Sequence, residues 1–229
     1  LLPYAKNRKN LHVITKANVV KIIFDRKRAV GLEYMHQGKK KKIKANKEVI
    51  LSAGAFMSPT ILQRSGIGAS EDIKPHGIEL IHELPGVGKN LQDHIDFNFC
   101  FKTNDKNTLG FSPGGFLKIL GETTKWLIHG NSMISSTLSE AGGFLKTDQS
   151  LDRPDIQHHF VIGLIDDHLR KLHYGYGYSC HVCLLRPYSR GTVSLASAKE
   201  SDAPLINPNY LNDSRDLETL IKGAKMTQN

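Results

Sequence analysis

Apolar and polar residues alternate along the first quarter of the chain, which is typical of half-buried β-strands. The segments "LHVIT" (11–15), "VVKIIF" (19–24) and "AVGLEYM" (29–35) are rich in β-branched residues and bounded by charged turns. The next apolar segment, "VILS" (49–52), contains almost no polar residue. Such a run is typical of a strand covered on both faces. The pattern therefore predicts a β-meander followed by one buried strand.

Helix signals follow these strands. Ser58 offers a capping oxygen and Pro59 tolerates the first helical position, so a helix is predicted to begin there and to end at Gly66. Apolar residues recur at helical spacing in "FLKILGETTKWLIHG" (116–130) and "SRDLETLIKGAKM" (214–226). Both segments are amphipathic and are predicted to be helices, the second with Ser214 as its cap.

The pattern of predicted elements along the chain changes near residue 93. The glycine- and proline-rich loop "LPGVGKNLQDH" (84–94) is followed by strand-like segments with long polar loops between them. These segments are "DFNFCFK", "DIQHHFVIG", "GYSCHVCLLRP" and "GTVSLAS". We therefore predict a mixed α/β (α+β) protein with one domain over 1–92 and a second over 93–229. The second should hold a largely antiparallel sheet flanked by helices.

Composition and charge fit a globular domain. The chain has 229 residues, of which 39% are hydrophobic and 23% charged, with a formal net charge of +9. Much of the excess lies in "GKKKKIKANK" (38–47), which is interpreted as a solvated hairpin, with a phosphate-binding patch as the alternative. No aromatic residue is interleaved there for base stacking, so no nucleic-acid partner is expected. No apolar run reaches about 18 residues, so no transmembrane segment is expected.

The cysteines and paired histidines offer weak evidence for chemistry. Cys180 and Cys183 lie three apart in a predicted strand, so their side chains should point to opposite faces. No second pair completes a metal site, and no bound metal is expected. His158 and His159 are strand neighbours, so one should face a pocket and the other away from it. Three cysteines form no disulfide framework, which favours a reducing compartment.

The run Ser52-Ala53-Gly54-Ala55 lacks large side chains where the predicted buried strand ends. A flat ligand could approach the backbone there, because ligands of open α/β sheets bind at the carboxyl ends of strands. A tight turn without a ligand is the alternative. Neither glycine-rich segment completes a G-x-G-x-x-G fingerprint, since Glu71 and Leu91 stand where the third glycine belongs.

Several longer motifs resemble one flavoprotein family, the glucose–methanol–choline (GMC) oxidoreductases. "GAFMSPTILQRSGIG" is similar to the second signature of that family, and "HELPGVGKNLQDH" resembles its interdomain loop. "NLHVITKANVVKIIFDRKRAVGLEY" resembles its meander and "RPYSRGTVSLAS" its substrate-domain core. Within the family, "EAGGF" and "DIQHHF" are most similar to choline dehydrogenases.

The resemblance implies FAD as cofactor and assigns residues to it. Val19 would contact the adenine part through its backbone, and Ser52, Ala53 and Gly54 would lie against the cofactor. Glu140 would face the cationic nitrogen of choline, with a charge on a surface loop as the alternative. Asn90, Asp93 and His94 would belong to the interdomain loop and hold it in place.

The resemblance also implies what the 229 residues do not contain. The phosphate-binding G-x-G-x-x-G unit and the motif with the catalytic histidine are absent, so the chain should be an inactive internal fragment without a catalytic residue of its own. The whole protein should oxidise choline or a related primary alcohol to the aldehyde, with an unidentified electron acceptor. A location in the cytoplasm or at the membrane periphery is expected. Another alcohol, a lyase reaction and a non-catalytic binding module are the alternatives.

Overall fold

The computed structural model describes residues 8–166 and 170–228. The chain divides into two compact units, one of Leu1–Leu91 with Arg190–Asn209 and one of Gln92–Ser189 with Tyr210–Asn229. The sequence-based division at 92/93 did not include this return of residues 190–209 to the first unit. Little in the sequence indicated this return, because apolar and polar residues alternate in "GTVSLAS" as they do in the strands of the second unit. Residues 1–7 of the predicted first domain lie outside the described residues.

The first unit contains the predicted meander. It consists of β1 (Ala17–Asp25), β2 (Arg28–His36) and β3 (Lys39–Lys44), which pair antiparallel in that order. Val20, Ile22 and Tyr34 are buried, as the alternation requires. All six residues of β3 are exposed, so this lysine-rich strand forms a solvated edge.

Two predicted strands are not formed. Residues 49–52 make no ladder, and Ile50 is 77% exposed rather than buried. Residues 11–15 are likewise irregular and mostly exposed. A strand needs a hydrogen-bonding neighbour, and among the described residues none pairs with either segment. Apolar sequence alone was therefore insufficient evidence for a strand.

The first helix begins earlier than predicted. Helix α1 spans Gly54–Arg64, so Ser58 and Pro59 lie inside it rather than at its start. Ser58 Oγ still satisfies an N-terminal donor, because it accepts a hydrogen bond from Ala53 N at 3.0 Å. The helix ends before Gly66, whose φ of 82° is the left-handed conformation expected after a helix.

Short elements complete the first unit. Strands β4 (Ile67–Gly68) and β5 (His82–Glu83) pair in parallel, and α2 (Ser70–Ile73) leads into a 3₁₀ turn at Lys74–His76. The returning segment supplies β11 (Thr192–Ser194) and β12 (Leu205–Asn207). Buried Gln63 of α1 holds this segment, since its Nε2 donates to Val193 O at 3.2 Å.

The second unit is built on an antiparallel sheet. Its strands are β6 (Asp96–Thr103), β7 (Gly110–Phe111), β8 (Ser139–Leu145), β9 (Ile156–Val161) and β10 (Gly175–Leu184). The order is β6-β10-β9-β8, and β7 also pairs with β10. The long central strand β10 therefore contacts three others and organises the unit.

Two long helices accompany this sheet. They are α3 (Pro113–His129), which precedes a 3₁₀ turn at Met133–Ser135, and α4 (Ser214–Gln228). Helix α4 packs on one face of the sheet, where Ile156, Val182, Leu184 and Leu220 form a buried cluster. Gly223 permits this close packing, because a Cβ there would lie 2.8 Å from Val182 Cγ1.

The mixed α/β class is confirmed, with antiparallel sheets dominating both units. The predicted sheet of the second domain, with helices beside it, is present. Among the residues described, no helix has both the length and the apolar composition needed to cross a bilayer.

Candidate functional site

The turn before α1 exposes bare backbone. Ser52, Ala53 and Gly54 are all exposed, and Gly54 has a φ of 81°. A Cβ built on Gly54 would meet no atom within 4 Å, and the N-cap residue Ala53 offers no capping side chain. Polar backbone at the start of an 11-residue helix is therefore open to an approaching group.

The other end of α1 is fixed to the edge of β1. Arg64 is buried and donates from Nε to Val20 O at 3.0 Å and from Nη2 to Val19 O at 3.5 Å. Ser65 Oγ accepts from Ile22 N at 2.8 Å. Burial lowers the pKa of the Arg64 guanidinium from its ordinary value. One helix thus connects Val19, which is half-buried, with the bare turn at Gly54.

Two of the three predicted interdomain residues, Asp93 and His94, are held by hydrogen bonds. Asn90 is exposed with a left-handed φ of 62°. Asp93 accepts a hydrogen bond from Tyr210 Oη at 2.6 Å, and His94 Nε2 donates to Leu185 O at 3.1 Å. Partial burial and the bond to Asp93 raise the pKa of Tyr210 to about 12. Asp93 and His94 are thereby held within the second unit.

A pocket of about 310 Å³ opens on the second unit, near the lower end of the usual range for ligand sites. Strands β9 and β10 place His159 and His181 directly opposite each other in register. The lining is Thr137, Leu138, Ser139, His159, Val161, Ile165 and His181. The pocket is therefore largely apolar, with two imidazoles side by side.

His181 is oriented by a carboxylate. Its Nδ1 donates to Asp96 Oδ2 at 2.7 Å. Its Nε2 is buried and has no hydrogen-bond partner among the described residues. A buried polar atom without a partner is costly, so a hydroxyl group that reached Nε2 would relieve that cost.

Asp96 and His181 were not predicted as a pair. In the sequence, His181 lies between Cys180 and Cys183 in "GYSCHVCLLRP", and Asp96 is the first residue of "DFNFCFK". The pairing of β6 with β10 joins positions 85 residues apart and places Asn98 opposite His181. Period-two alternation alone could have placed His181 and Cys183 on one face, but it could not have supplied the register.

Hydrogen bonds hold the pocket-lining residue Ile165 in place. Ser179 is fully buried, donates to Gly163 O at 2.7 Å and accepts from Ile165 N at 2.9 Å. Asn98 Nδ2 donates to Ile165 O. These bonds hold the loop after β9 against the sheet, so the position of Ile165 in the lining is fixed.

His158 faces away from the pocket, as strand alternation predicted for one member of the pair. Its Nε2 lies 3.1 Å from Thr227 Oγ1 on α4. Burial lowers the pKa of the His158 imidazole, because desolvation disfavours the charged form. His159 is therefore the member of the pair that a pocket ligand would meet.

Cys180 and Cys183 point to opposite faces of β10. Cys180 pairs with Phe99 and Phe160, whereas Cys183 pairs with Asp96 and Gln157. Burial and the nearby Asp96 raise the pKa of Cys183 to about 12, and burial also raises that of Cys180. Within 8–166 and 170–228, no group of three or more potential ligands is arranged to hold a metal ion.

Glu140 is not among the residues that line the pocket. The register of β8 with β9 shifts between Ser139 and Ala141, so Glu140 is the extra residue of a β-bulge. It is exposed, and its Oε1 accepts from Ser136 Oγ at 2.6 Å. Leu138 and Ser139, which precede Glu140 in the chain, line the pocket, so Glu140 is close to the pocket in sequence.

Comparison with known proteins gives a consistent result along the chain. Family models described as GMC oxidoreductase match residues 1–96 and 187–229. An alcohol dehydrogenase [acceptor] of Pseudomonas putida is 41% identical over 226 residues, which are 96% of this chain and 40% of that protein. The mitochondrial choline dehydrogenase of Homo sapiens is 36% identical over 98% of this chain and 38% of its own length.

Solved structures agree on the fold. A formate oxidase matches 98% of this chain and 44% of its own with a TM-score of 0.87 and 24% identity. Pyridoxine 4-oxidase from Mesorbium loti matches 97% of this chain and 40% of its own, with a TM-score of 0.78 and 23% identity. The chain spans about two fifths of the length of the curated relatives it matches. Because two models of one family match the chain and relatives align over nearly every residue, the chain belongs to the GMC oxidoreductase family.

Proposed function

We propose that the chain is part of an FAD-dependent enzyme that oxidises a primary alcohol to the aldehyde. The observation that carries the proposal is the bare turn at Ser52–Gly54 in a chain of this family. In this proposal residues 1–92 contribute to an FAD-binding domain and 93–229 to a substrate domain, with 190–209 returning to the former. The remaining parts of both domains lie outside the 229 residues.

The residues present fit FAD. Ser52, Ala53 and Gly54 leave room for a flat ring system, because none carries a large side chain and the space beyond Gly54 is open. Val19 offers backbone on a strand that Arg64 fixes to the same helix. When bound, FAD would supply the acceptor for the hydride that leaves the alcohol carbon. The chain's residues supply the approach surface, and the pyrophosphate contacts come from elsewhere.

The histidine-lined pocket is proposed to hold the alcohol. His181 Nε2 would bond to the hydroxyl group, and Asp96 would keep the imidazole in the orientation that this requires. His159 would contact the substrate from the neighbouring strand. These residues position the substrate, whereas the proton acceptor of the reaction is proposed to lie outside this chain.

Choline is the substrate that Glu140 favours. A quaternary ammonium donates no hydrogen bond from its nitrogen and is held by carboxylates and aromatic faces. Glu140 forms no ion pair in the part of the chain that the structure describes, although the chain carries a net charge of +9. A carboxylate without a cationic partner, next in the chain to the pocket residue Ser139, is suited to a permanent cation.

An uncharged alcohol is the second candidate, and the lining favours it. The residues that line the pocket include no phenylalanine, tyrosine or tryptophan and no carboxylate. The relative with 41% identity is named an alcohol dehydrogenase rather than a choline dehydrogenase. The two candidates differ in whether Glu140 contributes to binding.

Replacing Glu140 with glutamine in the full-length protein is expected to raise the KM for choline about fivefold to tenfold with little change in kcat. The reason is that one exposed charge pair at 4 Å contributes on the order of 1 kcal/mol in ground and transition states alike. The KM for an uncharged primary alcohol of similar size should stay within about twofold. Steady-state kinetics with both substrates measure the difference.

Glu218→Gln is the matched control, because this exposed glutamate on α4 loses the same charge away from the pocket. It should leave both KM values unchanged. Equal losses for choline and the uncharged alcohol in Glu140→Gln would assign Glu140 a structural role and favour the second candidate.

A further inference from the structure

Two leucines of the second unit have a backbone conformation that leucine rarely adopts. Of the seven described non-glycine residues with a positive φ, five are polar or charged, and the other two are Leu138 (64°) and Leu211 (58°). The backbone crowds the Cβ of an L-residue at such a φ, so the conformation is strained, whereas glycine adopts it freely. Strain of this kind persists only where the surroundings impose it, and it is concentrated at ligand and active sites.

Hydrogen bonds on both sides hold the backbone at Leu138. Leu138 N donates to Ser136 Oγ at 3.0 Å, and Leu138 O accepts from Ile162 N at 3.2 Å. Ser136 Oγ in turn donates to Glu140 Oε1 at 2.6 Å, which joins this turn to the bulge of β8. The φ of Leu138 is therefore imposed by its surroundings, and the direction of its side chain is fixed with it.

Leu138 belongs to the lining of the histidine-lined pocket. It is half-buried there, and Val161 and Ile165 are the other two large apolar residues of the lining. Strand β9 holds Val161, and the hydrogen bonds of the loop after β9 hold Ile165. The same pocket contains His181, whose Nε2 has no partner among the described residues. A ligand whose hydroxyl group reached Nε2 would therefore place its carbon atoms beside apolar side chains with little freedom to move.

We propose that Leu138 is a specificity-determining residue that limits the bulk of the alcohol accepted by the pocket. This inference rests on the proposed function of the pocket as the alcohol site. The pocket has a volume of about 310 Å³, so the four carbon atoms of the leucine side chain beyond Cα are a substantial part of the space available. One methylene group that an apolar pocket admits or excludes changes kcat/KM by about tenfold to 200-fold. Leu138 thus acts on the carbon skeleton of the substrate, whereas His181 acts on its hydroxyl group.

Two primary alcohols with the same reacting end test this limit. 3,3-Dimethylbutan-1-ol and 3,3-diethylpentan-1-ol both carry a hydroxyethyl group on a quaternary carbon, and the second has three more methylene groups. Choline and its triethyl homologue form a charged pair with the same difference. Steady-state kinetics of the full-length protein give the selectivity ratio, which is kcat/KM for the larger member of a pair divided by kcat/KM for the smaller.

Leu138→Gly is expected to raise the selectivity ratio at least about tenfold. Glycine adopts a φ of 64° without strain, so the variant should keep the turn while it loses the side chain. Leu138→Ala keeps the strained φ but removes three of the four side-chain carbons. It should therefore raise the ratio in the same direction, because the cause is the space that the side chain leaves.

Leu211→Gly is the matched control. It makes the same substitution at nearly the same φ, in the turn before α4, at a residue that does not line the pocket. Its selectivity ratio should stay within about twofold of that of the parent protein. Circular dichroism and visible flavin absorbance verify that the three variants fold and carry the cofactor as the parent does.

The outcomes separate failure of this inference from failure of the proposed function. A parent protein that oxidises neither choline nor 3,3-dimethylbutan-1-ol would contradict the proposed function, and the inference that rests on it fails as well. If the parent is active and the ratio is unchanged in Leu138→Gly, or rises equally in Leu211→Gly, the inference alone is overturned. A rise in Leu138→Gly without one in Leu138→Ala would assign the effect to relaxation of the backbone and would also overturn it.

Discussion

Replacing Asp216 with alanine is expected to lower the free energy of unfolding of the second unit by roughly 3–5 kcal/mol. The carboxylate is 1% exposed and accepts from Tyr188 N at 2.7 Å and Ser189 N at 2.9 Å. It joins the start of α4 to the loop before residue 190. Alanine would remove a charged acceptor from both backbone amides. Urea unfolding followed by circular dichroism and by Trp126 fluorescence measures the change.

Asp152→Ala is the matched control within the same unit. The Asp152 side chain is 87% exposed and lies 3.9 Å from Arg153, so its removal should change stability by less than about 0.5 kcal/mol. A loss of under about 1 kcal/mol in Asp216→Ala would contradict the anchoring role and show that the two amides find other partners.

Replacing Gly54 with valine in the full-length protein is expected to abolish FAD binding. A β-branched residue is strained at a φ of 81°, and its side chain would occupy the open space in which the flavin is proposed to lie. The ratio of visible flavin absorbance to protein absorbance after purification measures the occupancy. We expect the parent protein to be yellow and the variant colourless.

Gly77→Val is the control that separates backbone strain from loss of the proposed contact with FAD. Gly77 belongs to the same unit, has a φ of 70°, and an added Cβ there would also meet nothing within 4 Å. Both variants should lose similar stability, on the order of 1–2 kcal/mol, because each holds a non-glycine residue in the left-handed region. Retention of FAD in both, or its loss in both, would remove Gly54 from the cofactor site.

Much of the fold followed from local sequence. The meander was predicted because Val20, Ile22 and Tyr34 alternate with polar residues, and the turn at Gln37-Gly38 sets the last hairpin. Helices α3 and α4 followed from their spacing of apolar residues. These elements depend on contacts between near neighbours in sequence, which patterns record directly.

The errors arose where distant residues decide the outcome. The run at 49–52 has the composition of a buried strand, but a strand is stabilised by its neighbours, and Ile50 is exposed. The start of α1 was predicted four residues too late. Ser58 and Pro59 are residue types that favour a helix start, but the helix begins at Gly54. The return of residues 190–209 to the first unit is likewise a long-range contact.

The candidate pocket shows the same limit. His159 could be assigned a face by alternation, because His158 is its strand neighbour. Asp96 and His181 could not be joined without the register between β6 and β10. The bulge at Glu140 depends in turn on how β8 pairs with β9, which the sequence does not specify.

The most direct test of the central claim is the reduction of bound flavin by an alcohol in the absence of oxygen. The full-length protein should purify with FAD, and addition of choline or another primary alcohol should bleach its visible absorbance, with the matching aldehyde formed in equal amount. Secondary and tertiary alcohols of similar size serve as controls. A protein that binds no flavin, or whose flavin stays oxidised with every primary alcohol, would contradict the assignment as an alcohol oxidoreductase.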